Sequence, residues 1–172
     1  MVFDLDGTLI RGRTCCELIA AQIGRLERMR GFERCITKEE IAAARIEMRG
    51  WYSRYTESEL CASLATAIEA PGLTNGLKRL RAAGVQIAIA SITWSFAVGW
   101  FARRLGAQFH LGTELRPSGA VVHVWPEDKA VWLSDLATRL GVSRAETSRG
   151  GRYDERFANV ARGGPRILSG NR

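Results

Sequence analysis

The stretch Val85-Gln-Ile-Ala-Ile-Ala90 limits the fold of this chain more than any other. It is β-branched and almost continuously apolar, and a strand of that kind has to be covered on both faces, as strands of parallel sheets are. Its neighbours supply the cover. Leu73 to Ala83 reads as a helix ending at Gly84, a residue suited to the left-handed position just past a helix end, and a second helix is expected from about Trp94 to Leu105. Met1-Val-Phe-Asp-Leu-Asp6 reads as another short buried strand running into a Gly7-Thr8 turn; it begins abruptly, as a strand cut short at its start would. An extended piece around Phe109-His-Leu111 follows, then a hairpin over Leu115 to Trp125 with Pro117-Ser118-Gly119 at its middle. Last comes an amphipathic helix from Asp128 to Leu140 stopped by Gly141. Helix and strand alternate, which predicts an α/β domain with a parallel sheet.

Between the first two strands the pattern is helical from about Thr14 to Ala70. Leu18, Ile19, Ile23, Leu26 and Met29 mark one face, and Ile41, Ile46 and Met48 belong to a later helix. Thr37 followed by Glu40, and Thr56 followed by Glu59, have the spacing of capping boxes, in which each side chain satisfies a backbone N–H left unpaired at a helix start. The second box precedes Leu60, Leu64 and Ile68, and Pro71-Gly72 ends the helical region.

With 46% hydrophobic and 25% charged residues over 172, the chain can bury a core without staples. Its longest apolar runs, such as Val85 to Ala90 and Phe96 to Ala102, fall far short of the roughly 20 residues a membrane span needs. The start carries neither a basic segment nor a small-residue cleavage site, so the expected location is cytoplasmic, with no membrane partner. Cys15, Cys16, Cys35 and Cys61 show no C-x-x-C spacing and no companion histidines, and read as reduced thiols and not as zinc ligands. The net charge of +7 is uneven: after Thr147, six arginines face only Asp154 and Glu155, a surplus of four.

Asp4-Leu-Asp6-Gly-Thr8-Leu sets two carboxylates two residues apart where a strand opens into a loop, so both leave the same edge of the sheet. Ligands of open α/β sheets bind at such carboxyl ends. Here the chain resembles the haloacid dehalogenase superfamily, whose first motif is D-x-D-x-T after an apolar strand; Asp4, Asp6 and Thr8 match it. The second motif, an apolar strand ending in Ser or Thr, is met by Ile87-Ala-Ile-Ala-Ser91, and the third, a Lys at the start of a later helix, by Lys129. The insertion of roughly sixty residues looks like the small helical cap of the phosphoserine-phosphatase-like branch. The resemblance implies a three-layer Rossmann-like core, residues 1–13 and 71–147, with a helical cap, 14–70, inserted after the first strand. Residues 148–172 form an atypical Arg/Gly-rich end, expected to be loose. Singly, each motif residue has a plainer meaning, as a solvated turn, a local cap or a surface charge; their order is what carries the resemblance.

The implied chemistry explains the residue types. A phosphate monoester resists attack by an anion, since two unit charges about 4 Å apart repel by about 1 kcal/mol in water and about 4 kcal/mol at a protein-like dielectric. In the family Mg²⁺ offsets this repulsion, helped by a lysine. The resemblance assigns Asp4 as the nucleophile that forms an aspartyl-phosphate. Asp6 becomes the acid that protonates the leaving group and then activates water, and it also lends its carbonyl to the metal. Thr8, Ser91, the neighbouring backbone at Ile92, and Lys129 would hold the phosphoryl oxygens of a small phosphorylated substrate.

The fourth motif, G-D-x-x-x-D after a buried strand, is the point of departure. No such strand is legible, and the nearest alignment sets Arg149-Gly-Gly-Arg-Tyr-Asp154 against it, with Gly150 at the metal-ligand position and Asp154, or Glu155, as the remaining acidic candidate. Such a chain is expected to hold Mg²⁺ weakly, and a catalytically impaired member stands as the alternative. The change after Thr147 is of the kind a shifted reading frame or a divergent terminus produces. Arg149-Gly-Gly and Arg162-Gly-Gly, with Tyr153 and Phe157 between them, also fit a nucleic-acid-binding tail, ranked below the phosphatase reading. Phosphoserine phosphatases usually carry an acidic residue seven positions after the second motif Asp; Arg13 stands there, which argues against phosphoserine and makes Arg11 and Arg13 candidates for selecting a substrate with a second anionic group. Trp51, Tyr52 and Tyr55 are candidates to line the substrate cavity, with core packing as the plainer role.

Overall fold

The computed structural model describes residues 1–142 and the backbone of Arg149 and Gly150. In chain order its elements are β1 (Val2–Phe3), β2 (Ile10–Arg11), α1 (Cys15–Gln22), α2 (Leu26–Phe32), α3 (Lys38–Tyr52), α4 (Glu57–Ala62), a 3-10 turn (Ser63–Thr66) and β3 (Ile68–Glu69). They continue with α5 (Leu73–Ala82), β4 (Ala88–Trp94), α6 (Ser95–Leu105), β5 (Phe109–Leu115), β6 (Val121–Val122), α7 (Pro126–Arg139) and β7 (Arg149–Gly150). The main sheet has the order β6-β5-β4-β1-β7. It is parallel except at β6, where Glu114 and Leu115 pair with Val122 and Val121 through the expected hairpin, turning at Gly119 with φ +82. The α/β parallel-sheet expectation is therefore met.

Local chemistry explains most helix boundaries. Thr14, Thr37 and Thr56 each accept from the backbone N–H three residues on, while Glu17, Glu40 and Glu59 reach back, giving three complete capping boxes. Two of these were legible in the sequence. Gly84 follows α5 at φ +76, and Val85 N–H returns to Leu80 O, closing that helix. This bond corrects the expected start of the central strand: Val85 closes α5, Gln86 and Ile87 lead into the sheet, and β4 begins at Ala88 and runs on through Ser91 to Trp94. Pairing with β5 becomes irregular between Ala90 and Trp94.

A second correction concerns the end of the helical insertion. Ile68 is not on a helix face but in β3, which pairs antiparallel with β2, Ile10 opposite Glu69 and Arg11 opposite Ile68. Chain leaving the sheet and chain returning to it thus run side by side as a two-stranded ribbon. Ile41, Ile46 and Met48 lie in α3 as expected; Met48 and Tyr52 face inward, while Ile46 is exposed. A third correction concerns the strand taken as absent before the fourth motif. β7 pairs parallel with β1, Val2 opposite Arg149 and Phe3 opposite Gly150. Backbone pairing needs only N–H and C=O groups, which an arginine and a glycine supply as well as valines do, so apolar patterning missed it. The remaining tail calls, the loose end and the Arg-Gly-Gly segment, lie outside the described residues.

One core joins the sheet to the helical insertion: Leu18, Ile19, Met48, Tyr52 and Leu64 belong to the same buried cluster as Leu5, Ile87, Ile89, Val98 and Phe101. At the carboxyl end of the sheet Gly112, in β5, lies under the turn from β4 into α6. A Cβ there would sit 2.7 Å from Ser95 Cα, 2.9 Å from Ser95 N and 3.0 Å from Thr93 O, all backbone atoms that cannot swing aside. Gly112→Ala is therefore expected to cost about 1–3 kcal/mol, read as a lower urea midpoint, because the end of β4 must shift to admit the methyl group. All four cysteines are free thiols. Among the described residues no helix is long and apolar enough to cross a membrane.

Candidate active site

β1 ends at Phe3, and its paired neighbour β4 continues beyond Ile89 to Ser91, so Asp4 and Ser91 lie just past the last paired positions on the same edge of the sheet. Behind Asp4 the chain turns tightly: Leu5 O accepts from the N–H groups of Thr8, Leu9 and Ile10, and Gly7 takes φ +74. That turn presents the two motif carboxylates differently. The Asp4 side chain is 45% exposed, open to a ligand, and Lys129 Nζ donates to its Oδ1 at 2.9 Å across 125 residues of sequence. Oδ2 of Asp4 carries no hydrogen bond among the described residues. Asp6 is more enclosed, and its Oδ1 accepts from Cys15 N–H at 2.7 Å, at the first residue of α1. Burial pushes its carboxyl up to about 6; the Cys15 hydrogen bonds work against the rise, and the charges of Asp4 and Glu33 add to it.

Lys129 lies in the first turns of α7, which opens with Pro126 after a Trp125 N–H donated to Asp128 Oδ2 at 2.8 Å. Ser91 is buried, its Oγ accepting Thr93 N–H at 3.3 Å. Ile92 O accepts from Thr113 Oγ1 at 2.9 Å and from Arg45 Nη2 at 2.7 Å. Thr8 lines a groove with Phe3, Leu9 and the start of α5. Arg11 folds back so that Nη1 donates to Gly7 O, while Arg13 is exposed and makes no ion pair among the described residues. Tyr52 is buried edge-on to Trp94 and Phe96, Trp51 stacks on Phe32 at 5.4 Å, and Tyr55 is partly exposed. Asp154 and Glu155 lie outside the described residues.

Three contributors escaped the sequence reading. Cys15 supplies a backbone N–H, which no side-chain pattern reveals. Glu33, accepting from Thr14 Oγ1 at 2.8 Å, has its carboxyl raised by burial and adds negative charge near Asp6. Arg45 did leave a signal, since it falls on the inward face of α3 with Met48 and Tyr52 at helical spacing.

For a divalent cation, Asp4 and the Asp6 carbonyl are hard oxygen donors, right for Mg²⁺, which keeps several waters and is bound through one or two carboxylates plus substrate phosphate. Among the described residues no group of three or more His, Cys, Asp or Glu could hold a metal. A cation held by these two oxygens alone would take the rest of its shell from water or substrate.

These features converge on one class. The chain matches the family model for haloacid dehalogenase-like hydrolases over residues 1–158 and belongs to that family. No curated protein matches it. Among solved structures it is similar to a phospho-aspartyl intermediate analogue of phosphoserine phosphatase, at 17% identity and TM-score 0.69, covering 86% of this chain and 75% of that one. It is also similar to a family hydrolase from Salmonella enterica serovar Typhi, at 18% identity and TM-score 0.71, covering 86% and 54%. A probable phosphoserine phosphatase from Vibrio cholerae matches at 21% identity and TM-score 0.64, covering 93% and 53%. The chain spans about half the length of the latter two, and at these identities the likeness speaks for the fold.

Proposed function

We propose that this chain is a Mg²⁺-dependent phosphomonoester hydrolase working through an aspartyl-phosphate on Asp4, with residues 14–70 acting as a cap over the site. The observation that carries the reading is the Asp4–Lys129 contact at 2.9 Å, with a second carboxyl, Asp6, two residues away and protonated up to about pH 6. Two carboxyl groups in unlike surroundings suit a nucleophile and a general acid. Asp4 Oδ2 attacks phosphorus, the bond to the leaving oxygen breaks, and Asp6 donates its proton to that oxygen. Asp6, now ionised, takes a proton from the water that cleaves the acyl phosphate and returns Asp4. Lys129 holds Asp4 in position and offsets charge gathering on the phosphoryl oxygens, beside Ser91, Thr8 and the Ile92 backbone. The Asp4 carboxylate and the Asp6 carbonyl would hold Mg²⁺, which when bound neutralises phosphate charge against the incoming carboxylate. The direct experiment is hydrolysis of an aryl phosphate with and without Mg²⁺; a folded protein inactive under both conditions overturns the reading.

β7 favours a qualified form of this activity. Its register sets Gly150 beside Phe3, the residue before Asp4, which favours moving the fourth-motif alignment by one from the expected Arg149-Gly150 and Asp154, to Gly150-Gly151 and Glu155. Neither glycine offers a side-chain oxygen. Millimolar rather than micromolar Mg²⁺ is then expected for half-maximal activity, and Gly151→Asp is expected to tighten it by about 10-fold or more, the scale on which a ligand-shell change acts. A Mg²⁺ titration of wild type and variant checks this. Equal dependence in both would mean that another group already completes the shell.

A further inference from the structure

Helix α3 presents three cations on one face, Lys38, Arg45 and Arg49, and all three reach the segment between the β5–β6 hairpin and the start of α7. Lys38 pairs with Glu127, and Arg49 Nη1 donates to Gly119 O at 2.9 Å, both at exposed positions where such contacts contribute little. Arg45 differs from them. It is 6% exposed, and no carboxylate pairs with it among the described residues. Its guanidinium instead donates to Ile92 O at 2.7 Å and Val124 O at 3.3 Å, meets His123 Nδ1 at 3.1 Å, and lies 4.8 Å from the centre of the Trp125 ring. His123 stacks on Trp125 at 5.3 Å. Thr113 closes the network from below, donating from Oγ1 to Ile92 O and accepting Val124 N–H at 3.1 Å.

Two parts of the candidate site meet in this network. Ile92 follows Ser91 at the phosphate-binding end of β4, and Val124 and Trp125 lead directly into α7, whose first turns carry Lys129. A planar guanidinium with several fixed donors can hold such acceptors in a set geometry; an ammonium acts as a point charge and cannot hold them in that way. We propose that Arg45 is a positioning residue which, through the Ile92 carbonyl, locks the Ile92–Thr93 peptide just after Ser91 and the start of α7 into one arrangement, so that Lys129 and the phosphate-binding backbone come to register only when α3 is docked. The assignment rests on the phosphatase reading above and adds to it a link between the helical segment and assembly of the site. Arg45 reaches the reacting groups through Ile92 and Trp125.

The test compares Arg45→Lys and Arg45→Ala with Arg28→Met, an exposed arginine paired with Glu47 on the outer side of the helical segment. With an aryl phosphate and Mg²⁺, both Arg45 variants are expected to lose about 100-fold in kcat, the scale of a small misplacement of reacting groups. KM should change by less than about 3-fold, the mark of lost transition-state geometry, with Arg28→Met unchanged. Added guanidinium ion should restore part of the Arg45→Ala rate, and ethylammonium should not. In parallel, the amide signals and hydrogen exchange of residues 127–130 should change in both Arg45 variants and not in Arg28→Met, whether or not the wild type turns over. An inactive wild type with altered α7 amides would sink the phosphatase reading and leave the positioning role standing. A KM rise with kcat retained would overturn the proposal in favour of direct substrate binding, and unaltered α7 amides would overturn it outright.

Discussion

Asp4→Asn is expected to abolish Mg²⁺-dependent hydrolysis of an aryl phosphate, by about 10⁴-fold or more, the scale reached when a nucleophile is removed from a set of groups that act together. The fold should hardly notice. The Asp4–Lys129 contact lies at the rim of the site with the carboxylate 45% exposed, and ion pairs of that kind contribute about 0–1 kcal/mol. An amide keeps an oxygen for Lys129 Nζ, so the melting temperature should stay close to wild type while turnover is lost. Steady-state rates on a generic aryl phosphate, paired with a thermal melt, check both halves. Residual activity within about 10-fold of wild type would assign the nucleophile elsewhere and remove the main support for an aspartyl-phosphate.

Asp6→Asn is expected to split two properties that usually fall together. Burial lifts the folded carboxyl to about 6 from the ordinary aspartate value of 3.8, so between those pH values the folded chain holds a proton that the unfolded chain has released. Stability therefore falls as pH rises from about 4 to about 6, and above that a penalty of about 3 kcal/mol remains, because a largely enclosed carboxylate must carry its charge. Asparagine keeps the oxygen that accepts Cys15 N–H and carries no charge. In chelator at pH 7.5 the variant should melt higher by roughly 6–12 °C, a gain that closes below about pH 4. Catalysis should move the other way. With an alkyl phosphate, whose leaving oxygen needs a proton, the loss should be about 10²–10⁴-fold. With a nitrophenyl ester, whose leaving group needs none, a burst of one phenolate per enzyme should precede slow turnover, since the phosphoenzyme forms and then lacks its base. Equal melting temperatures across pH would mean that Asp6 is better solvated than its surroundings suggest.

The parts of this molecule legible in its sequence are those written in short, local patterns. The two capping boxes that were read needed only a Thr and a Glu three apart, and each sits where a helix begins. Asp4, Asp6, Ser91 and Lys129 stood out by their resemblance to the family's ordered motifs, and the structure brings Asp4 and Lys129 into contact across the length of the chain. The β2–β3 ribbon was not legible: two residues per strand show no alternation, and pairing Ile10 with Glu69 depends on contacts far apart in sequence. The start of β4 was misread because Val85 is apolar enough for a strand while its N–H closes the preceding helix. β7 escaped since a glycine and an arginine carry no apolar signature. Arg45 was visible only as an arginine among inward-facing residues of α3, a mismatch whose meaning needed the acceptors across from it.

The β2–β3 ribbon also sets how the helical segment can move. A segment attached at two distant points behaves as a bridge, and displacing it strains both anchors. Here the outgoing and returning strands are hydrogen-bonded to each other, so residues 14–66 hang from a single seam, like a door on one jamb. Rotation about that seam would keep the pairing of Ile10 with Glu69 and Arg11 with Ile68 intact, but it would have to part the buried core that α1, α3 and α4 share with β4 and α6. The contacts of α3 with Ile92, Gly119, Val124 and Glu127 are then the polar latches of the door, and the shared core is what holds it shut.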